Sequence, residues 1–198
     1  MAPMLIVELV SVAFALAYLL LAIRQSIWCW PAALVSVLLA MVLFYDARLY
    51  MESALQVFYF AMGVYGWVQW HQGGAARTGV TVHWWDPGRH ATAILAVLAL
   101  SAGCGWLLSR TDAAFPYLDS FTTVAAILTT FMVARKVLEN WIYWFVIDSI
   151  LVYLYLARDL YWYAGLYAFY LVLIVIGFRA WWQSLETGLA TANDSPAG

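Results

Sequence analysis

Seven apolar runs, each close to the roughly 20 residues that cross a hydrocarbon layer as a helix, divide the chain. They extend from Pro3 to Ile23, Ile27 to Tyr45, Tyr50 to Trp70, Ala91 to Leu108, Phe121 to Ala134, Val137 to Leu156 and Tyr161 to Phe178, and each is bounded by charge, glycine or proline. The first run lacks a basic leader and a small-residue cleavage site, so it reads as a retained helix and not as a signal peptide. Between the third and fourth runs, His71 to His90 carries Gly73, Gly74, Gly79, Pro87 and Gly88, the pattern of a linker. Thr187 to Gly198 is polar and small, as a frayed end would be. The pattern predicts an all-α membrane protein with seven transmembrane helices.

Compared with itself at a spacing of about 113 residues, the chain repeats. Trp28 falls on Trp141, Asp46 on Asp159 and Tyr50 on Tyr163; after a one-residue gap, Gly63 falls on Gly177 and Trp67 on Trp181. The first three helices thus echo the last three. Because four spans separate equivalents, the expectation is two parallel three-helix repeats joined by a linker helix, a 3+1+3 plan. The division predicted is a first bundle over residues 1–70, a loop and linker helix over 71–110, a second bundle over 111–180 and a tail over 181–198.

Composition agrees on the solvent. Hydrophobic residues make up 66% of the chain and charged ones 10%, and the mean hydropathy is +0.84, which leaves too little polar surface for a water-soluble fold. The partner is the lipid bilayer. A net charge of −2 offers no basic face, so no nucleic acid is expected. Many of the 12 Trp and 13 Tyr belong to interfacial belts, with Trp28, Trp30, Trp84, Trp85, Trp181 and Trp182 read as anchors. Arg24, Arg77, Arg89, Arg135, Lys136 and Arg179 fall on the side that holds the C-terminus, whereas Arg48, Arg110 and Arg158 fall on the other. The positive-inside rule then puts the N-terminus outside and the C-terminus in the cytoplasm of a bacterial-type inner (plasma) membrane.

Cys29 and Cys104 lie toward opposite ends of their spans and read as small core residues, not as a bridge. His71, His83 and His90 lack tight ligand spacing, so no metal and no cofactor is expected. A retinal protein would need a lysine in its last helix, but the only lysine is Lys136. A membrane hydrolase would need a nucleophile beside a base or a zinc-binding helix, and neither is visible, so the chain does not read as an enzyme.

The chemistry concentrates in two helices. In ENWIYWFVID, Asn140, Trp141, Trp144 and Asp148 share one side of the sixth span, with Trp141 and Asp148 within roughly 20° of each other. A carboxylate near mid-bilayer costs about 2.5 to 3.5 kcal/mol on insertion scales, so it needs a reason to be there. Two indoles, a carboxylate and an amide suit a flat cation: ring faces attract positive charge, Asp148 neutralises it, and Asn140 reads a polar substituent. Asn140 equally suits backbone groups at the helix start. In the third span Gln56, Tyr59, Gly63, Trp67 and Trp70 recur at steps of three and four, within roughly 80° of one face. Trp67 and Trp70 end their helix on the membrane side where Asn140 and Trp141 begin theirs, so one ligand held by both helices is the expectation. Glu139 is expected to face the headgroups beside Arg135, and Glu8 either snorkels to the surface or lines the path.

The segments ALQVFYFAMGVYGWVQW (Ala54 to Trp70), FPYLDS (Phe115 to Ser120) and ARKVLENWIYWFVIDS (Ala134 to Ser149) resemble the Pnu vitamin transporters, above all the PnuC nicotinamide riboside transporters. The likeness runs over nearly the whole chain. It implies a SWEET-like 3+1+3 fold, a homotrimer with one path per protomer, and facilitated diffusion of nicotinamide riboside, a vitamin B3 precursor of NAD, trapped by phosphorylation in the cytoplasm. The family's binding residues carry onto Trp67, Trp70, Asn140, Trp141, Trp144 and Asp148. Thiamine, another cationic heteroaromatic carried by relatives, fits the same residues. A non-transporting receptor or scaffold is the alternative of another class.

Overall fold

The structure is a computed structural model that describes residues 2–46, 50–74, 77–111, 113 and 115–193. Arg48, used above for orientation, lies outside the described residues. Among the described residues seven helices follow one another: α1 (Ala2–Ile23), α2 (Cys29–Asp46), α3 (Tyr50–Gln72), α4 (Pro87–Leu108), α5 (Pro116–Ala134), α6 (Asn140–Leu156) and α7 (Tyr161–Asn193). Among the described residues there is no strand, only an isolated bridge between His83 and Val137.

Each apolar run becomes a helix, but several ends move. α4 starts at Pro87 and not at Ala91 because the Asp86 carboxylate accepts from the Arg89 amide at 3.0 Å, and proline suits the first helical position. α5 likewise starts on a proline, Pro116, ahead of the expected Phe121. α7 runs past Phe178 to Asn193, because Ala180, Gln183, Leu185 and Glu186 are good helix formers even though they are not apolar as a group. Hydropathy reports where a chain can sit in lipid, not where a helix must stop. Among the described residues five helices hold an apolar window of membrane length. α3 is not among them, and α6 is apolar but only 17 residues long; these two carry the residues expected from the sequence to bind a ligand.

The chain divides into two compact units, Met1–Thr81 and Val82–Gly198. In the first, α2 packs against both α1 and α3. Ser11 and Ser36 tie α1 to α2 by reciprocal bonds, each hydroxyl donating to the other's carbonyl at 3.1 and 2.9 Å, the kind of polar glue that holds helices together in lipid. In the second unit α4 packs on α5, α5 on α6, and α6 on α7. Its centre is Val97, Ala125 and Ile147, with Phe121, Val124, Leu128, Trp144 and Leu151 against them.

Three of the tight helix connections end alike. After α1, the Ser26 amide donates to the Leu21 carbonyl and Gln25 to Ala22; after α5, Val137 donates to Met132 and Lys136 to Val133; after α6, Leu160 donates to Tyr155 and Asp159 to Leu156. These are Schellman caps, with Gln25, Lys136 and Asp159 at φ 53°, 53° and 58° in the position that favours glycine. Replacing Lys136 with valine is expected to destabilise the protein by about 1 to 2 kcal/mol, whereas Lys136→Gly should be neutral or stabilising. Thermal melting in detergent would separate the two.

These caps correct the repeat register. Gln25 and Lys136 are 111 residues apart (136 minus 25), and every bond of the first cap has its counterpart at that spacing. Trp30, Gly66 and Trp70 then correspond to Trp141, Gly177 and Trp181. The sequence alignment at about 113 had put Trp28 on Trp141. In a tryptophan-rich chain identical letters coincide at several offsets, and only backbone geometry selects one.

The repeated triplets make the same contact in each unit. A Cβ built on Gly66 would run into the ring of Trp30, and one on Gly177 into the ring of Trp141. Trp30 meets Trp70 edge to face at 5.4 Å, and Trp141 meets Trp181 at 5.5 Å. An indole thus lies on a glycine of the next helix and is braced by a second indole one turn on. Trp30 and Trp181 are accordingly buried, contrary to their expected place as interfacial anchors, while Trp28, Trp84 and Trp182 are exposed. Cys29 is buried as expected, but Cys104 is exposed and not a core residue.

Candidate functional site

α6 begins with a buried polar pair. Asn140 is fully buried; its amide donates to the Val137 carbonyl at 2.6 Å, closing the turn that starts the helix. That leaves Asn140 Oδ1 without a hydrogen-bond partner, and the neighbouring Trp141 Nε1 is also unpartnered. A buried acceptor and donor left open on consecutive residues call for a water or a ligand, since such atoms are almost always satisfied. Trp30 Nε1, the equivalent of Trp141 in the first unit, is open as well.

Asp148, two turns on, is 5% exposed. Its electrostatic neighbours are the phenols of Tyr155, Tyr167 and Tyr170. Tyr155 and Tyr167 hydrogen-bond to each other with ring centroids 5.2 Å apart, Tyr155 stacks on Tyr163 at 5.4 Å, and Tyr167 meets Tyr170 at 5.5 Å. These tyrosines form a row shared by α6 and α7, and the carboxylate is within electrostatic reach of it. Neither α5, α6 nor α7 before Arg179 contains an Arg or Lys, so these helices supply no fixed cation to this acid.

The tyrosines were missed in the sequence, although a signal existed. Tyr155 lies seven residues after Asp148, on the same face, and Tyr163, Tyr167 and Tyr170 step by four and three along α7. The indoles are arranged differently from one another. Trp141 is spent on Gly177 and Trp181 within its own unit, and Trp144 is half-buried against the cluster around Ala125 and Ile147.

In the first unit Gln56, Tyr59 and Trp67 are half-buried on α3, and Trp70 is buried. Trp67 meets the exposed Trp28 at 6.4 Å, Trp70 braces Trp30, and Tyr59 packs beside Phe58. Gly63 lies against Leu34 of α2, with 2.7 Å between that side chain and an added Cβ. The glycine on which a ring rests is Gly66.

Glu139 departs from expectation. It is buried, and its carboxylate accepts from the Trp85 amide at 3.1 Å and pairs with His90 Nε2 at 2.8 Å. The wanted partner arrives from the linker and α4, 49 residues away, where no helical spacing could have pointed to it. Glu8 is exposed on α1.

Known proteins agree with this architecture. A solved structure described as the vitamin B3 transporter PnuC superposes with a TM-score of 0.68 over 90% of this chain and 81% of that one, at 20% identity. The riboflavin/roseoflavin transporter RibM of Streptomyces davaonensis is 29% identical over 183 residues, covering 88% of this chain and 84% of the relative. The nicotinamide riboside transporter PnuC of Escherichia coli is 28% identical over 173 residues, covering 74% and 70%. The family model for the nicotinamide mononucleotide transporter matches residues 5–183. With α2 to α6 and most of α1 and α7 inside that match, the α6 motif included, the chain belongs to the nicotinamide mononucleotide transporter family, as a PnuC-like membrane transporter and not an enzyme.

Proposed function

We propose that the cargo is a vitamin and, specifically, nicotinamide riboside. The observation that carries this reading is Asp148: a buried acid on α6, among phenols, with no Arg or Lys in α5, α6 or α7 before Arg179. A positively charged pyridinium supplies the missing cation, the tyrosine and tryptophan faces favour it further, and the open Asn140 carbonyl suits an amide or hydroxyl donor of the ligand. Substitutions at Gln56, Tyr59, Trp67, Trp70, Asn140, Trp141, Trp144 and Asp148 are expected to change affinity.

The wider reading is import by facilitated diffusion, trapping by cytoplasmic phosphorylation, a homotrimeric assembly, and an N-terminus outside with the C-terminus in the cytoplasm. The second reading is riboflavin, because a relative named for it matches most of this chain. Its ring system is neutral, which leaves Asp148 without a counter-charge. Thiamine, also cationic, shares the electrostatic argument.

Uptake into liposomes containing only the purified protein tests this. Saturable entry of labelled nicotinamide riboside without an ion gradient is the expected result, with a rate that stays at the empty-liposome level for a receptor or scaffold. A strict requirement for a sodium or proton gradient would overturn facilitated diffusion.

A further inference from the structure

α4 and α6 both pack on α5 and touch each other through side chains, where His90 stacks on Tyr143 and Val97 and Ile147 share one cluster, without a close backbone approach among the described residues. The gap between them is a cavity of about 430 Å³ inside the second unit. Phe121 and Ala125 of α5 form its floor; Ile94 of α4 and Ile142 and Val146 of α6 form its sides. These last three side chains are 46%, 49% and 46% exposed, so the slot opens outward along its length. In a bilayer an open apolar slot faces hydrocarbon, and leaving it empty forfeits the dispersion contacts of every wall atom.

One end of the slot is polar. His90 Nε2 pairs with Glu139 Oε1 at 2.8 Å, and His90 Nδ1 meets the Tyr143 hydroxyl at 2.8 Å. His90 and Tyr143 lie in the first turns of α4 and α6, and Glu139 at the N-cap of α6; the ends of membrane-spanning helices are where headgroups are met. Oε1 already takes the Trp85 amide and His90, whereas Oε2 has only a long 3.4 Å approach from Trp85, so a carboxylate oxygen keeps room for another donor. An apolar slot ending at a carboxylate has the shape and polarity of an amphiphile with a cationic head.

We propose that this slot is a phospholipid site, holding an acyl chain along α5 and an ammonium headgroup at Glu139. Anionic headgroups without an amine are disfavoured there by the carboxylate, and a concavity between two helices fits a linear chain better than the convex face of another helix. The site is separate from the Asp148 chemistry and does not depend on which vitamin is carried.

The test reconstitutes the protein in nanodiscs of equal phosphatidylethanolamine and phosphatidylglycerol, releases it into mild detergent, and weighs retained lipid by native mass spectrometry. Wild type is expected to retain one phosphatidylethanolamine per chain. Ala125→Leu, which grows into the floor, should lose it with helical content unchanged; Glu139→Gln should keep a lipid but lose the headgroup preference. Retention of no lipid, or equal retention of both headgroups by wild type, would overturn the proposal. So would spontaneous disulfide formation between copies of an Ile142→Cys variant, which would make a second copy the occupant.

Discussion

Asp148→Asn is expected to weaken binding of a cationic vitamin by about 2 kcal/mol or more, roughly thirtyfold in Kd, while leaving the protein as stable as before or more so. The two directions follow from one burial. Asp148 is 5% exposed among tyrosines, and a carboxylate in such surroundings is costly until a cation arrives. Asparagine keeps the shape and removes the charge, so it relieves the empty protein and penalises the loaded one. If Asp148 were merely a structural partner for α7, the same substitution would lower the melting temperature and affect a neutral analogue as much as a cation. Calorimetry with a charged and an uncharged ligand, beside a melting curve, distinguishes the cases.

Gly177→Val is expected to destabilise the folded transporter by about 3 kcal/mol or more, and Gly66→Val to do the same in the other unit. In each, the new side chain meets the ring of Trp141 or Trp30, which cannot retreat because Trp181 or Trp70 braces it. Nothing lies within 4 Å of a Cβ on Gly103 or Gly165. Gly103→Ala and Gly165→Ala therefore serve as controls, expected to be neutral or to stabilise by about 0.5 to 1 kcal/mol. Melting temperature and monodispersity in detergent measure all four; equal tolerance of valine at position 177 and alanine at position 165 would refute the glycine–indole contact.

The helices were legible because lipid demands long apolar runs, and each of the seven runs is a helix. Their ends were less so. Asp86 and Pro116 start α4 and α5 early through local capping and proline geometry, and α7 continues beyond its apolar part. The existence of a repeat was readable, but its register was not, since Gln25 and Lys136 share a left-handed backbone that no residue identity reveals.

At the candidate site a helical wheel correctly placed Trp141 and Asp148 on one face, yet a face does not say what it meets. Trp141 meets Gly177 and Trp181; Asp148 has tyrosines as its electrostatic neighbours. The Glu139–His90 pair joins elements 49 residues apart and carries no periodic signal. Contacts made by tertiary packing are invisible to spacing, even when both partners are conspicuous residues.

Side-by-side calorimetry of the purified protein with nicotinamide riboside and riboflavin tests most directly whether Asp148 selects a positively charged ring. Measurable binding of nicotinamide riboside, tighter than that of riboflavin and lost in Asp148→Asn, is the expected result. Tighter binding of the neutral riboflavin, unchanged in Asp148→Asn, would contradict it.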